Sequence, residues 1–406
     1  MHNFDVIVVG GGASGFFTAI NLAEQRPDLR IAILERGKEV LSKVKISGGG
    51  RCNVTHACFV PNVLTKFYPR GERELKGPFH TFCTSDVMQW FEDRGVVLKI
   101  EDDGRVFPES DNSQTIIDCF LGEAKSYDIK IITQTIVQTI EKENDFWKLE
   151  TSKDVFQCKQ LVVSTGSNTK IWDLLQCADH SIVHPVPSLF TFNIKDERIK
   201  DLMGVSAEMV TVKVKDTHLK ATGPLLITHW GMSGPAILRL SAWGARELFN
   251  KNYQFQLTVN WTNDYVFDEV LKELMQNKQE HPRKTIFKYP QYNLTHRLWQ
   301  QLVKAADISE TMTWADVSKK HLVKLAEQLT QGTFDVNGKS TFKEEFVTAG
   351  GIDLKEVNFK TMESKLHNNL YFTGEILNID AITGGFNFQN AWTTGFLAAN
   401  AIAAKY

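Results

Sequence analysis

The stretch VIVVGGGASG, residues 6–15, decides how the first part of the chain is interpreted. An apolar run ends at Val9, and the spacing G-x-G-x-x-G follows at once. In this pattern Gly10 permits a tight turn, Gly12 lets a pyrophosphate approach the backbone, and Gly15 lets a helix pack against the strand. The N–H groups at the helix start then face phosphates. The stretch therefore predicts a dinucleotide-binding turn rather than a purely structural one.

The residues around this turn complete a βαβ unit. We predict a strand at Phe4–Val9, a helix at Ser14–Gln25 and a second strand at Arg30–Leu34, joined by a right-handed crossover. Glu35 ends the second strand 20 positions after Gly15, where a carboxylate accepts hydrogen bonds from the adenosine ribose. NAD and FAD share this fingerprint, so it does not choose between them.

The C-terminal stretch LYFTGEILNIDAITGGFN, residues 370–387, has a second set of turn glycines. A predicted strand runs into Gly374 and Glu375, and a glycine pair precedes a helix predicted from near Asn387 to about Ala403. A chain that returns to its first domain in this way suits a cofactor stretched across the sheet edge. The start of the last helix could face a flavin pyrimidine, where negative charge develops on reduction. An Asn387 N-cap on a plain surface helix is the alternative.

A third glycine-rich stretch is KISGGGRCNVTH, residues 45–56. Consecutive glycines allow a nest of backbone N–H groups that binds anions, and Arg51 adds a cation beside it. A flexible turn is the alternative for the glycines. A redox role for Cys52 is disfavoured, since none of the six cysteines forms a C-x-x-C pair.

The length and composition of the chain are typical of a soluble globular protein. Its 406 residues indicate two or three structural units. The net charge of −2 favours neither nucleic acid nor an anionic membrane as a partner. The apolar N-terminus carries Asp5 and is interrupted by glycines, which indicates a buried strand rather than a signal sequence. With no apolar run long enough to cross a membrane and scattered thiols, we expect a cytoplasmic protein.

Composition changes near Pro185 and Pro187. From there to about Trp261 the chain reads as short strands, and Phe267 to Leu329 reads as mostly helical. Strand character is predicted to return at residues 342–347. We therefore predict a first domain that is split by a β-rich insertion and a helical insertion, with these bounds: 1–187, 188–265, 266–335 and 336–406.

Five motifs together carry a family resemblance: VVGGGASG, KISGGGRCNVTH, GRVFPES, VTAGGIDLKEV and LYFTGEILNIDAITGGFNFQNAW. They resemble a bacterial flavoprotein family whose members are catalogued as NAD(P)/FAD-dependent oxidoreductases, with SGGGRCN as the most specific element. The resemblance spans almost the whole chain and implies an α/β fold similar to the FAD-binding half of glutathione reductase. In that fold a Rossmann-like FAD-binding domain is split by an inserted barrel-like β-rich unit and a helical unit.

The resemblance also implies a cofactor site in three parts. The adenosine and pyrophosphate end would comprise Gly10, Gly12, Ala13, Ser14, Gly15, Glu35 and Arg36, with the backbone of Val137 against adenine. The central loop along the pyrophosphate, ribityl and flavin region would comprise Ser47, Gly48, Gly49, Gly50, Arg51, Cys52 and Asn53. The strand-end turn and the ribityl and isoalloxazine end would comprise Thr165, Gly166, Gly374, Glu375, Gly384, Gly385, Phe386 and Asn387. The family often has tyrosine at the position of Phe386, which keeps the ring and lacks only the hydroxyl.

Other features are weaker. A second G-x-G-x-x-G is missing, which disfavours a separate nicotinamide domain, although NAD(P)H could still dock transiently at the flavin as an electron donor. A metal site at His180 and His184 is disfavoured, because their four-residue spacing needs a helix and the sequence there is strand-like. In THWGMSGPAIL, residues 228–238, His229, Trp230 and Ser233 could line the flavin face, although ordinary turn packing is favoured.

The functional hypothesis is an FAD-dependent oxidoreductase that transfers hydride between flavin and a small organic substrate. Family names hint at reduction of activated C=C bonds or oxidation of small amines, and the sequence selects neither. Three alternatives stay open: a flavoprotein of tRNA modification, an NAD-only dehydrogenase and a flavin-binding regulator without turnover. The sequence identifies no catalytic acid or base, no substrate and no oligomeric state.

Overall fold

The structure is a computed structural model that describes residues 1–340 and 347–406. Most of the strand predicted at residues 342–347 lies outside this range. The chain divides into two compact units, the first formed by residues 1–186 with 343–406 and the second by residues 187–342. The first unit thus contains both ends of the chain. No helix in the described ranges is long and apolar enough to cross a membrane.

Strands outnumber helices along the described residues. The strands are β1 (His2–Val9), β2 (Ile31–Leu34), β3 (Thr55–His56), β4 (Leu98–Ile100), β5 (Arg105–Pro108), β6 (Lys130–Ile132), β7 (Val137–Glu143), β8 (Phe146–Thr151), β9 (Val155–Val163), β10 (Ile182–Ser188), β11 (Thr191–Ile194), β12 (Ser206–Val214), β13 (Lys220–Ile227), β14 (Gly231–Ser233), β15 (Gln254–Asn260), β16 (Gly332–Ser340), β17 (Val347–Ile352), β18 (Val357–Asn358), β19 (Glu363–Ser364) and β20 (Leu370–Phe372). The helices are α1 (Ala13–Gln25), α2 (Ser42–Gly50), α3 (Pro61–Leu64), α4 (Lys76–Thr81), α5 (Thr84–Glu92), α6 (Ser113–Ser126), α7 (Thr169–Cys177), α8 (Pro235–Trp243), α9 (Ala245–Asn250), α10 (Phe267–Glu280), α11 (His296–Ala305), α12 (Lys319–Gln331) and α13 (Phe386–Ala403).

The first unit is built on a central sheet in which β20, β9, β1, β2 and β6 are consecutive neighbours and run parallel. Val9 lies opposite Leu34 and Val163, and Val163 lies opposite Phe372. The carboxyl ends of four strands therefore reach one edge of the sheet, where ligands bind in open α/β sheets. The residues that follow those ends are Gly10, Glu35, Ser164 and Thr373. The predicted Rossmann-like α/β fold is confirmed.

Helices α1 and α13 pack closely on each other in the first unit. The rings of Phe17 and Trp392 lie 5.3 Å apart, and both residues are fully buried. A Cβ at Gly395 would lie 3.0 Å from Thr18 Oγ1, so the glycine permits the close approach. This packing ties the last helix to the helix that follows the first glycine turn.

The second unit contains a closed antiparallel barrel in the order β11, β14, β13, β12, β15 and β16. Val210, Val212 and Val214 of β12 are fully buried, whereas Lys213 between the last two is exposed. Three longer helices, α10, α11 and α12, bury apolar residues such as Leu298 and Leu325. The predicted barrel-like character is confirmed. The sixth strand, β16, follows these helices, so the barrel closes beyond the predicted β-rich range, and the domain bounds stay predictions.

Several element starts differ from the sequence-based ones. The sequence also predicts a helix at Ser85–Arg94 with Ser85 as its N-cap. The N-cap of α5 is instead Cys83, whose N–H donates a hydrogen bond of 2.7 Å to the carboxylate of Asp86. Gly385, with φ of 93°, is the N-cap of α13 in place of Asn387. A strand that the sequence predicts at Lys130–Val137 is divided between two strands, β6 and the start of β7.

Candidate functional site

The turn between β1 and α1 uses its three motif glycines for different reasons. Gly10 has φ of 112°, and a Cβ there would lie 2.5 Å from the carbonyl oxygen of Ser164. A Cβ at Gly15 would overlap the carbonyl oxygen of Gly10, so the helix can pack only because position 15 has no side chain. A Cβ at Gly12 would meet nothing within 4 Å. We call residues 10–15 the nucleotide turn, and its open face lies at Gly12.

Glu35 ties the end of β2 to the nucleotide turn. Its Oε2 accepts a hydrogen bond from the Gly11 N–H at 2.9 Å, and its Oε1 accepts one from the Gly37 N–H at 2.6 Å. The carboxylate is half-buried, whereas Arg36 is exposed. The structure thus puts Glu35 where the sequence expects it, at the sheet edge. Contact with a ribose stays a prediction.

The segment that leads to Val137 runs beside the end of β2. The Thr135 N–H donates to the Glu35 carbonyl at 2.9 Å, and the Gln134 N–H donates to the Gly37 carbonyl at 2.8 Å. Val137 itself is buried at the start of β7. The structure therefore brings this predicted adenine-contacting segment to the same edge as Glu35.

The ends of β9 and β20 bring four more predicted residues together. Ser14 Oγ donates to the carbonyl of Thr373 at 3.3 Å, and a Cβ at Gly374 would lie 2.5 Å from that hydroxyl. A Cβ at Gly166 would lie 3.5 Å from Glu375 Oε2. Among the described residues, the buried Thr165 Oγ1 has no hydrogen-bond partner.

Glu375 is held by two contacts of its own. Lys43 Nζ lies 2.5 Å from its Oε2, and the Thr348 N–H donates to its Oε1 at 3.2 Å. Lys43 lies in α2, just before the central glycine loop. The ion pair therefore connects that loop with the turn after β20.

The central glycine loop forms the end of α2, where the backbone leaves the helical conformation. Ser47 is extended, and Gly48, Gly49 and Gly50 have φ of 58°, 70° and 85°. A Cβ at Gly48 would lie 3.0 Å from the ring of Phe107, whereas Gly49 and Gly50 face open space. Three successive left-handed residues are suited to glycine, and they leave the loop backbone accessible.

Arg51 and Cys52 follow this loop in different environments. Arg51 Nη1 lies 2.6 Å from Glu101 Oε1 and 3.3 Å from Asp111 Oδ1, and its guanidinium stacks 3.9 Å from the ring of Phe107. Two carboxylates thus already neutralise the cation that we predicted beside a phosphate. Cys52 is fully buried, and burial raises the pKa of its thiol to about 12. A thiol in that state is a poor nucleophile, and Arg51 and Cys52 as cofactor contacts stay predictions.

The residues after Cys52 join the start of α13, although more than 300 positions separate them. With its amide oriented to satisfy both ends, Asn53 accepts from the Gly385 N–H at 3.0 Å and donates to the Thr55 carbonyl at 2.9 Å. Thr55 Oγ1 donates to Gln389 Oε1 at 2.5 Å, and Trp392 Nε1 donates to the Val54 carbonyl at 2.8 Å. We call residues 53–56 with residues 384–392 the junction.

An aromatic group fills one side of the junction. Phe386 is buried, and its ring centroid lies 4.4 Å from that of Phe67 and 4.5 Å from that of His56. Tyr68 donates its hydroxyl to the Phe386 carbonyl at 2.5 Å. Asn387 instead closes the preceding turn, since its amide bonds both the N–H and the carbonyl of Ala381, at 3.0 and 3.2 Å. His56 and Phe67 were not predicted as site residues, although His56 ends the quoted motif KISGGGRCNVTH.

A buried ion pair connects the chain just before Gly384 with the segment that carries Phe67 and Tyr68. Asp380 is fully buried and forms a two-pronged pair with the guanidinium of Arg70. The backbones of these two residues also form an isolated β-bridge. The turn that leads to Gly384 is therefore anchored to the segment that carries Phe67 and Tyr68.

The weaker sequence candidates have other roles or stay open. His180 contacts Glu356 Oε2 at 3.0 Å and Ser364 Oγ at 3.1 Å, while His184 lies in a strand rather than a helix. Within residues 1–340 and 347–406 no cluster of three or more His, Cys, Asp or Glu could hold a metal. Trp230 is 53% exposed in the second unit and packs edge-on against His229. A place for Trp230 or Ser233 at the flavin stays a prediction.

The family model that describes an HI0933-like protein Rossmann domain matches residues 4–401. The chain belongs to the HI0933-like Rossmann-domain family. The match covers both sheet segments and the whole insertion between them, and it confirms the Rossmann-type part of the resemblance. The narrower label based on SGGGRCN stays a prediction.

Relatives of known name match this family member over almost their full length. A ribosomal RNA dihydrouridine synthase of Haemophilus influenzae is 26% identical, with 98% of each chain covered. A 3-dehydro-bile acid delta(4,6)-reductase of Clostridium scindens is 24% identical, again with 98% of each chain covered. Among solved structures, 3-ketosteroid-delta4-(5alpha)-dehydrogenase of Rhodococcus jostii has a TM-score of 0.53 at 12% identity, over 99% of this chain and 97% of that one. The last likeness bears on the fold alone.

Proposed function

We propose that this chain is an FAD-dependent reductase that saturates an activated C=C bond. The observation that carries the proposal is the nucleotide turn, whose open glycine face lies where four parallel strands end. The central glycine loop and the junction add further backbone and side-chain groups to this turn. Such a set of groups suits a cofactor longer than a mononucleotide. The two named relatives support the reaction class, because both names describe enzymes that reduce a double bond.

The residues present fit a bound dinucleotide. Gly12, Gly49 and Gly50 offer backbone with no side chain and open space beside it, which a pyrophosphate and a ribityl chain require. The unpartnered hydroxyl of Thr165 offers a hydrogen-bonding group at the same sheet edge. Glu35 offers carboxylate oxygens for a ribose. When bound, FAD would supply the hydride chemistry.

The protein's part in the reaction is to bind, orient and exclude water. The nucleotide turn would hold the phosphates with backbone N–H groups at the start of α1. The junction would hold the ring end against an apolar wall that includes Phe67 and Phe386. The start of α13 would favour negative charge near it, because its first N–H groups have no partners within the helix. A nicotinamide donor would dock transiently at the same place.

The proposed substrate is a small molecule with a C=C bond conjugated to a carbonyl group. The near-neutral charge of the chain favours this class over RNA. Uracil in ribosomal RNA is the second candidate, because the Haemophilus influenzae relative is named for that reaction and aligns over nearly its whole length.

The test is anaerobic reduction of the purified protein. We expect it to carry FAD, to be reduced by NADH or NADPH, and to be reoxidised by an α,β-unsaturated ketone but not by uridine-containing ribosomal RNA. The variant Gly12→Ala should retain about tenfold less FAD, since a methyl group would occupy the pyrophosphate's approach. The matched control is Gly77→Ala, because position 77 is also free of neighbours within 4 Å but is exposed in α4.

Three results would contradict the proposal. A colourless protein that takes up no FAD on reconstitution would remove the cofactor. Bound FAD that no nicotinamide reduces and no unsaturated substrate reoxidises would leave a flavin-binding protein without turnover. Reoxidation by ribosomal RNA alone would move the substrate class to the second candidate.

A further inference from the structure

His56 is the last residue of the motif KISGGGRCNVTH and had no role in the sequence-based site. It lies in β3, whose partner β5 places Arg105 opposite it. Its imidazole is half-buried and packs against the face of buried Phe386, with 4.5 Å between centroids and 32° between planes. His56 is therefore part of the junction, at the end of the site that the sequence assigns to the flavin ring.

The chain makes room for this imidazole on two edges with glycines. A Cβ at Gly104 would lie 2.8 Å from His56 Nε2, and a Cβ at Gly384 would lie 3.4 Å from His56 Nδ1. Both glycines have left-handed φ, of 84° and 121°. Gly104 opens the motif GRVFPES and Gly384 belongs to TGGFN, so three separate motifs converge on one imidazole.

The nitrogen that faces Gly384 has no partner at hydrogen-bond distance and angle, although the backbone of Gly384 lies close enough to raise the pKa of the imidazole. His56 Nδ1 is buried, and no partner for it is found in the part of the chain that the structure describes. A buried imidazole nitrogen without a partner is costly, so its presence needs a reason. Because the His56 side chain as a whole is only half-buried, a ligand could reach the imidazole. A flavin ring carries both acceptors and a donor along its polar edge, and either type can pair with an imidazole nitrogen.

The charges around the ring are few and nearly balanced. Burial lowers the pKa of His56, while the nearby backbone of Gly384 and the carboxylate of Asp103 act in the opposite direction. Arg105 also lowers this pKa. Phe67 and Phe386 on the remaining sides are uncharged. The imidazole is therefore neutral at pH 7 and gains its proton only below its ordinary value of 6.5.

We infer that His56 hydrogen-bonds the ring end of the bound flavin through Nδ1 and is a catalytic residue of this site. The inference rests on the proposed function, since it needs FAD to be the ligand. Because reduction places negative charge on the ring, a hydrogen-bonded imidazole binds its proton more tightly beside the reduced flavin than beside the oxidised one. The flavin midpoint potential and the protonation of His56 are thus linked.

Two variants separate the hydrogen bond from the titration. His56→Phe keeps a ring that packs on Phe386 but removes the nitrogen, whereas His56→Asn keeps a polar group near the position of Nδ1 but cannot titrate. The control is His80→Asn, because His80 is exposed in α4 of the same unit. The measurements are the dissociation constant of FAD, the visible spectrum of the bound flavin and its midpoint potential from pH 5 to 8.

For wild type and His80→Asn we expect the slope of the plot of midpoint potential against pH to change between pH 5 and 8, at the imidazole pKa values of the oxidised and reduced states. His56→Phe should bind FAD about three- to tenfold more weakly, as expected for one lost hydrogen bond, with a shifted spectrum and without the change of slope that His56 contributes. His56→Asn should bind FAD nearly as well as wild type and also lose the change of slope.

Opposite results distinguish the two hypotheses. If wild type binds FAD and both variants keep its affinity, spectrum and slope, His56 has only a packing role and the inference is overturned while the proposed function stands. If wild type itself takes up no FAD, the proposed function fails and the inference fails with it. A His56→Phe protein with lower thermal stability but an unchanged slope would also overturn the inference.

Discussion

The nucleotide turn and the junction are built in opposite ways, although both lie in the first unit. The turn is local: its glycines and Glu35 lie within 26 positions of one another, and the close approach of backbone to backbone shapes it. The junction joins segments more than 300 positions apart through side-chain hydrogen bonds and aromatic packing. The turn depends mainly on missing side chains, whereas the junction depends on specific side chains as well as on its glycines. Substitutions should therefore harm the two regions by different mechanisms.

Gly15→Ala should have the largest effect on stability. The added methyl group would overlap the carbonyl oxygen of Gly10, and backbone atoms cannot move aside without shifting α1. We expect the free energy of unfolding to fall by more than about 4 kcal/mol, measured by thermal and denaturant unfolding. Gly12→Ala at the same helix start should leave stability almost unchanged. Equal stability of both variants would show that backbone approach does not shape the turn.

Asp380→Asn should have the next largest effect and tests the support of the junction. The substitution leaves the guanidinium of Arg70 opposite a neutral amide in a buried place, which costs about 3–5 kcal/mol. The matched control is Asp28→Asn, which breaks the exposed pair with Arg26 and should not change the unfolding curve. If the two variants unfold alike, the buried pair does not stabilise the junction.

Thr55→Val removes one hydrogen bond of the junction while the shape of the side chain is kept. Gln389 is fully buried and would lose the donor to its Oε1, so we expect a loss of about 1–3 kcal/mol. The control is Thr383→Val, because Thr383 is exposed and directly precedes Gly384 of the junction. Unfolding followed by denaturant should show the difference, and a neutral Thr55→Val would mean that packing alone joins the two segments.

Acid should weaken the junction slightly through His56. Because burial lowers the pKa of the folded-state imidazole, the unfolded chain binds a proton first as the pH falls below 6.5. Stability should therefore fall between about pH 7 and 5, by about 1.4 kcal/mol for each unit by which the pKa is lowered. His56→Phe should fall less steeply than wild type over this range. Parallel curves for the two proteins would mean that the junction histidine does not contribute.

The contrast also explains what could be predicted from the sequence. The βαβ unit follows from periodicity and from glycine spacing within about 30 residues, and the structure confirms it. The N-caps of α5 and α13 are Cys83 and Gly385, which the sequence did not indicate. Asp86 reaches back to the Cys83 N–H, and the carbonyl of Thr55 lies so close to Gly385 that only glycine fits there. The first contact joins residues three apart, but cysteine is not a typical N-cap residue, and the second contact joins residues 330 positions apart.

The side chains around the central loop could not be assigned from sequence. Arg51 looked available for a phosphate, because its partner Glu101 lies 50 positions away in sequence. The sequence assigned no role to His56. Its unpartnered nitrogen can be recognised only in the folded structure, where Gly104 and Gly384 lie against the imidazole. Whether a charge is paired, or a polar atom has a hydrogen-bond partner, depends on residues that are distant in sequence. Sequence periodicity gives no information about them.

The order of strands in the central sheet affects how the protein is made on the ribosome. β20 completes the sheet beside β9, yet about 200 residues of chain separate Val163 from Phe372. At the usual speed of translation this gap lasts roughly 10–40 s, during which α1 has no α13 to cover Phe17. The apolar surface of α1 around Phe17 therefore stays exposed in the nascent chain until α13 leaves the exit tunnel. Chaperone binding during synthesis should concentrate in that interval.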